Sequence, residues 1–505
     1  MKSTEGKTLK SSIIISFFVL LTSVFNYLAL FLLAATFGTR MEMDAYFAAI
    51  TIPQIITLIL LATLSTTFIP VYIEARSTDE PRAWRLASLS VNLVFCLLFV
   101  IALIGSILSK HVIAHVNPGF PGETSNLASS LFRLFLISVV FSGTSIILSS
   151  LYYAQQRFIK APFMQWMSSF VTFLFVLLLC PSLGIKSIAL GMLAGSLIQF
   201  FTLFTILWRR YSLSFDFRDK DIVKLAKLIV PLLIGSIFYR SNTLVERFIA
   251  SKLGKGSISY LGYAYKIIMA LVLLINQGIS TVLFPRMAES SAIADFKGLK
   301  ETLSKGIRAL IIITAPVAVM IVFARLELVQ IIFERGSFSH QDTIAVSQAL
   351  IAYLGFFVVS ALALPIVNTL YSLQKTFRVA AVGVLGFTLY VLLALLLSKY
   401  FAYMGIALAV SIQYVISLVV FVFMVRMELG KFDSRPIIQC IFKALVASGM
   451  AFLSIFSIRK LVVLPIEHPF DSIVFGVLGF AFYFVLLKIF KTEELRFLSI
   501  KTAFR

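Results

Sequence analysis

Long apolar runs, separated by short charged or turn-forming stretches, occupy almost the whole chain. They fall at 11–37, 45–73, 86–108, 126–153, 161–181, 184–207, 222–250, 259–284, 306–324, 343–372, 377–398, 403–425, 439–458 and 470–490, numbered here as spans one to fourteen. A helix of roughly 20 apolar residues crosses the hydrocarbon of a bilayer. A backbone in lipid must satisfy its polar groups internally, which favours helices. The pattern therefore predicts an all-α polytopic membrane protein of about fourteen transmembrane helices. The largest extramembrane pieces are the linkers after spans six and eight and the segment around 325–342, and none is long enough for a domain.

The order of the runs contains a repeat. Ser65-Thr66-Thr67-Phe68-Ile69-Pro70 with Glu74 matches Ser280-Thr281-Val282-Leu283-Phe284-Pro285 with Glu289, an offset of 215. Leu151-Tyr152, Gln155, Phe158 and Ala161 match Leu370-Tyr371, Gln374, Phe377 and Ala380, an offset of 219. Two patterns in one order at nearly one offset predict two parallel six-helix repeats plus a C-terminal helix pair. The expected lobes are 1–215 and 216–432, with two further helices and a tail in 433–505. Parallel repeats place a substrate site between halves that alternate in access.

Composition agrees with the pattern. Of 505 residues 60% are apolar and 13% charged, against about 45–50% and about 25% in soluble proteins. The net charge of +21 is spread over loops, so it argues for membrane orientation and against a nucleic-acid partner. With the N-terminus inside, thirty Lys and Arg fall on the cytoplasmic side, ten outside and four within spans. This bias predicts both termini in the cytoplasm of a bacterial inner-membrane protein. The charged N-terminus is followed by too long an apolar run for a signal peptide, so the first helix is expected to stay uncleaved.

Little in the chain suggests catalysis. Cys96, Cys180 and Cys440 form no CxxC and are read as buried thiols. His111 and His115 stand four apart without a third ligand. Neither a metal nor a cofactor is expected. P-loop, GxSxG and HExxH motifs are absent, so the chain is expected not to be an enzyme. Gly191 and Gly195 form a GxxxG that predicts close helix packing. Pro53, Pro231, Pro316 and Pro365 lie within spans and are positioned to bend them.

The informative residues are the charges inside spans. An ionised side chain at the bilayer centre costs about 2.5–3.5 kcal/mol on insertion scales, so it is expected to face a partner or a watery cavity. Span seven carries Arg240, Glu246 and Arg247, span eight Lys266 and span four Arg133. Arg240 and Arg247 are seven residues apart, close to two turns, which predicts a shared face. With Lys266 they form a candidate cationic stripe for a phosphate or diphosphate. Glu246 and Arg247 near the helix end, and Arg133 early in span four, also fit snorkelling to the interface. Asp44 opens span two, where a carboxylate caps a helix or serves the site directly.

Several of these stretches resemble the MviN/MurJ family. The resemblance rests on Phe37-Gly38, Asp44-Ala45-Tyr46-Phe47, Pro53 and Phe68-Ile69-Pro70-Val71. It continues with Ile249-Ala250-Ser251, Gly256-Ser257-Ile258-Ser259, Tyr263-Ala264, Ser280 to Arg286, and Phe333-Glu334-Arg335-Gly336-Ser337-Phe338. It covers roughly residues 10–430. The family belongs to the multidrug/oligosaccharidyl-lipid/polysaccharide exporter superfamily and flips lipid II, the peptidoglycan precursor. The resemblance implies a cationic central cavity, a lateral gate between spans one and eight, and a groove made with spans thirteen and fourteen for the lipid tail. The Glu246-Arg247 pair matches the family's acidic-basic pair. Ser23, Ala29 and Thr57 stand where the family has arginines, and Lys266 replaces another. Span eleven lacks the Asn or Asp of the sodium site described for some members.

The expected partners are a lipid-linked anionic glycan, membrane lipid and a coupling ion. Another lipid-linked surface polysaccharide is the alternative substrate. An efflux antiporter for organic cations would call for acidic spans, and a scaffold would not need buried arginines.

Overall fold

The computed structural model describes residues 2–430, 433–461, 471–490 and 492. Side chains at 2–13, 231, 234–235, 238–239, 277–286, 460–461 and 472–473 lie outside that description. The second copy of the STxxxP pattern therefore falls where only the backbone is described.

Every predicted span is helical. Among the described residues, eleven helices are long and apolar enough to cross a bilayer. Three of them hold a pair of predicted spans or a break. Thr376–Leu429 joins spans eleven and twelve, and the chain turns at Ala402, whose φ of 48° and ψ of −134° end the first helix. His340–Ala352 and Leu354–Ser372 meet at Tyr353 within span ten. The helix Phe296–Phe333 is kinked at Ala324, where span nine was expected to end. Pro53 and Pro70 are carried inside Met41–Thr78, Pro316 inside Phe296–Phe333 and Pro365 inside Leu354–Ser372.

Hydroxyl groups are reconciled with lipid by bonding back along their own helices. Thr63 donates to the Ile59 carbonyl at 2.8 Å, Thr67 to Thr63 at 2.8 Å and Thr314 to Leu310 at 2.7 Å. Each such bond removes a polar valence that hydrocarbon would penalise.

The chain forms two compact units, residues Met1–Ser259 with Arg335–Phe338, and Tyr260–Glu334 with Ser339–Arg505. In the first, Phe68, Tyr72, Leu86, Leu148, Leu151 and Leu203 form a buried core shared by spans two, three, four and six. Span one packs on span five through aromatic rings. Phe25 lies 5.1 Å from Phe170 and 5.5 Å from Phe173, and Phe18 lies 5.4 Å from Phe163. The Phe333–Phe338 stretch contributes its end to this unit: the Ser337 N–H donates to the Ala35 carbonyl at 2.7 Å. In the second unit, Leu303, Ile312, Leu370, Ala447, Tyr483 and Leu487 are core. The Tyr483 hydroxyl donates to the Ile312 carbonyl at 2.8 Å.

The LYxxQ repeat is real in geometry but shifted by one residue. Span four closes with Arg157 N–H on the Tyr152 carbonyl and Gln156 N–H on Tyr153. Span ten closes with Lys375 N–H on Leu370 and Gln374 N–H on Tyr371. Both are the double-bonded helix ending that needs a left-handed residue after the last turn. Gln156 and Gln374 supply it, at φ 59° and 60°. Gln156, not Gln155, is thus the partner of Gln374, and the offset is 218.

The GxxxG expectation is met between Lys160–Leu183 and Lys186–Phe204. A Cβ on Gly191 would lie 2.8 Å from the Phe175 Cβ, and one on Gly195 2.5 Å from the Ser168 carbonyl oxygen. Gly195→Val is therefore expected to lower the thermal midpoint in detergent, since overpacking typically costs about 1–3 kcal/mol. Gly383→Val, where a Cβ meets nothing within 4 Å, should shift it far less. Equal shifts would contradict the packing argument.

The cysteine expectation needs one correction. Cys180 and Cys440 are buried, but Cys96 is exposed on the helix Glu80–Ile107. Apolar runs do not specify which of their faces turns outward, and Cys96 lies on an outward one.

Candidate functional site

Of the two roles the sequence leaves open for Asp44, capping its own helix is corrected by the structure. Met41–Thr78 has no side-chain cap. The Asp44 carboxylate instead caps the helix Ser257–Ala292, which begins span eight. One oxygen accepts from the Gly256 N–H at 2.7 Å, and the other from the Ser259 N–H at 2.8 Å and the Ser259 hydroxyl at 2.6 Å. The first N–H groups of a helix lack internal partners, and the helix dipole there favours an anion. A carboxylate only 4% exposed is stable in that position because all its bonds come from these donors.

Arg247 completes the cluster from below span eight's first turn. Its Nη1 lies 3.1 Å from Glu246 Oε1 and donates to the Ile258 carbonyl at 3.2 Å. Its Nε donates to Thr51 Oγ1 at 3.3 Å, and the guanidinium lies 5.6 Å from the Phe47 ring centroid. Glu246 and Arg247 are 6% and 5% exposed, so they do not snorkel. Their burial is tolerable because each has a partner, whereas removing one partner of a buried pair costs about 3–5 kcal/mol. Asp44, Glu246 and Arg247 thus form one buried latch between span two, the end of span seven and the start of span eight.

Arg240 is half-buried at the end of Lys220–Arg240, and the helix is interrupted at Ser241 before Asn242–Ala250 begins. The shared face expected of Arg240 and Arg247 therefore spans a helix interruption, at which Ser241 keeps right-handed helical angles, φ −73° and ψ −12°. Lys266 is half-buried in the second unit, on the helix whose first turn Asp44 caps. Arg133 is exposed and donates from Nε to Ser109 Oγ at 2.7 Å. His115 binds back to the His111 carbonyl at 2.8 Å.

The positions matching family arginines are neutral and internally satisfied. Ser23 donates to the Val19 carbonyl at 3.1 Å and Thr57 to the Pro53 carbonyl at 3.0 Å. Ala29 is packed at 2% exposure.

Two features had no role assigned to them from the sequence. Ser259 and Gly256 bind Asp44, and neither side chain carries charge that would single it out. Within the second unit, Arg459 binds Glu327 at 2.9 Å and Asp471 at 3.0 and 3.3 Å. Arg459 and Glu327 border a cavity of about 280 Å³ that is otherwise apolar, lined by Met320, Phe323, Phe452, Phe456 and Phe480.

Helices this long, apolar and numerous define an integral, multi-pass membrane protein. Residues 33–468 match the family model of the lipid II flippase MurJ, and the chain belongs to that family. A probable lipid II flippase MurJ from Buchnera aphidicola subsp. Schizaphis graminum is 27% identical over 415 residues, covering 80% of each chain. A solved lipid II flippase MurJ in an inward closed conformation superposes with a TM-score of 0.83 at 22% identity, over 96% of this chain and 100% of that one. An inward-facing multidrug resistance MATE transporter of the MOP superfamily gives 0.70 at 14% identity, over 81% and 94%. The fold is thus that of the superfamily, and the family is one of transporters.

Proposed function

We propose that the protein is a non-catalytic flippase that carries a polyprenyl-diphosphate-linked glycan of the lipid II type from the inner to the outer leaflet. The two six-helix lobes, 1–215 and 216–432, alternate in access, and both termini are cytoplasmic. The observation that carries this reading is the pair of half-buried cations, Arg240 and Lys266, each the sole charged residue in its stretch of chain, 228–245 and 256–285. Arg240 lies just before the Glu246-Arg247 part of the latch in the chain, and Lys266 just after Ser259. A diphosphate carries about two negative charges, and in a low-dielectric site it needs at least two nearby cations. The neutral Ser23, Ala29 and Thr57 leave this work to spans seven and eight.

The tail finds a place in the second unit. An apolar cavity of about 280 Å³ between residues of spans nine, thirteen and fourteen suits part of a polyprenyl chain, which has no polar groups to satisfy. The latch is the element that must open for release, because it ties span two of the first repeat to span eight of the second. A coupling ion remains part of the proposal, with the energy drawn from its gradient or from the membrane potential.

Complementation tests the substrate. The chain should restore growth and shape to cells depleted of their lipid II flippase. Failure at normal expression and insertion would argue for another lipid-linked glycan.

A further inference from the structure

The linker after span six presents a strip that neither the transport cycle nor the core uses. Beyond Lys186–Phe204 the chain makes a tight turn at Trp208–Arg210, is extended at Tyr211, and turns tightly again at Leu213, where the Ser214 N–H donates to the Ser212 carbonyl at 3.1 Å. One side of this segment is stapled to the helix Glu80–Ile107. Asn92 Nδ2 donates to the carbonyls of Ser212 at 3.2 Å and Ser214 at 3.0 Å, and the Tyr211 hydroxyl donates to Asn92 Oδ1 at 2.6 Å. Arg85 binds Asp216 at 3.0 Å and Arg82 binds Asp221 at 2.7 Å. Arg210 pairs with Glu80 and lies over the Trp84 ring.

The other side is bare and apolar. Trp208 is 73% exposed, Leu213 74%, Phe215 49% and Phe217 71%. Large apolar side chains facing water in a row signal an interaction surface. Arg209, Arg218 and Lys220 flank the row, are exposed, and make no ion pair among the described residues.

Depth identifies the occupant. The 28-residue helix Glu80–Ile107 is about 42 Å long at 1.5 Å per residue, whereas hydrocarbon is about 30 Å thick. Its first turns therefore extend into the headgroup layer, and the stapled strip runs beside them. Aromatic rings flanked by cations are what that layer accommodates. We propose that Trp208, Leu213, Phe215 and Phe217 insert shallowly into the cytoplasmic leaflet, and that Arg209, Arg218 and Lys220 bind the headgroups of anionic phospholipids there. The linker between the two lobes is then moored to the membrane surface, independently of what the protein transports.

The test uses the full chain carrying Trp84→Phe and Trp166→Phe, so that Trp208 is the sole tryptophan. It is reconstituted in vesicles of phosphatidylethanolamine and phosphatidylglycerol. Trp208 emission should be quenched by acyl chains brominated near the ester, less by chains brominated near the methyl end, and be protected from aqueous acrylamide. Adding Arg209→Glu and Arg218→Glu should lose much of the lipid quenching in these vesicles, with a smaller loss in phosphatidylethanolamine alone. Should the single-tryptophan protein fail to insert, an environment-sensitive dye on Phe215→Cys, with Cys96, Cys180 and Cys440 replaced by serine, gives the same readout. Full acrylamide access would overturn the proposal by showing a solvated loop. Protection from both quenchers would overturn it by showing that protein, not lipid, covers the strip.

Discussion

Asp44→Ala is expected to lower the thermal midpoint and to abolish most transport. The substitution strands two N–H groups at the start of Ser257–Ala292 and the Ser259 hydroxyl, all bonded to the buried carboxylate within 2.6–2.8 Å. Hydrogen bonds to a charged group are worth about 1.5–3 kcal/mol net, and each stranded buried donor adds its own desolvation cost. A loss of about 3 kcal/mol shifts a two-state population about a hundredfold. If the latch closes one end of the transport cycle, the latched state becomes too rare to support turnover. Asp44→Asn should be intermediate, because its amide oxygen still accepts at Ser259 while its NH2 opposes the Gly256 N–H. The measurements are a melting curve in detergent and a transport assay at matched expression. An Asp44→Ala protein that melts and transports normally would show that the carboxylate is dispensable to both.

This latch marks the boundary of what the sequence made legible. Burial cost picked out Glu246 and Arg247, the opening of a span picked out Asp44, and all three lie in one cluster. Which helix Asp44 caps depends on tertiary placement, and its partners are mostly backbone N–H groups that every sequence possesses. The repeat was visible as LYxxQ, but side-chain identity could not show that the left-handed residue is Gln156, one position later. The break at Ala402 was legible as the gap between the runs ending at 398 and starting at 403. Arg459, Glu327 and Asp471 come from three distant stretches, and no local pattern links them. The alternation of Leu213, Phe215 and Phe217 was present in the letters but was too short to stand out among longer apolar runs.

Replacing Arg240 and Lys266 together by alanine is expected to cost transport at least two orders of magnitude without unfolding the protein. Both are half-buried, and each is the sole charge in its stretch, 228–245 and 256–285. Neither takes part in the hydrogen bonds and ion pair that close the latch. Each charge-assisted contact to a phosphate is worth about 1.5–3 kcal/mol, so losing two removes about 3–6 kcal/mol from the bound state. Arg240→Lys keeps the charge but loses the planar fork and should retain partial activity. Ser23→Ala should be nearly silent, because that hydroxyl serves only its own helix. The direct measurement is translocation of lipid II across vesicles holding the purified protein, followed by the appearance of its headgroup on the opposite leaflet. The account predicts translocation by the unmodified chain and its near-complete loss in the Arg240→Ala, Lys266→Ala protein. Translocation by the double variant at the unmodified rate would contradict it.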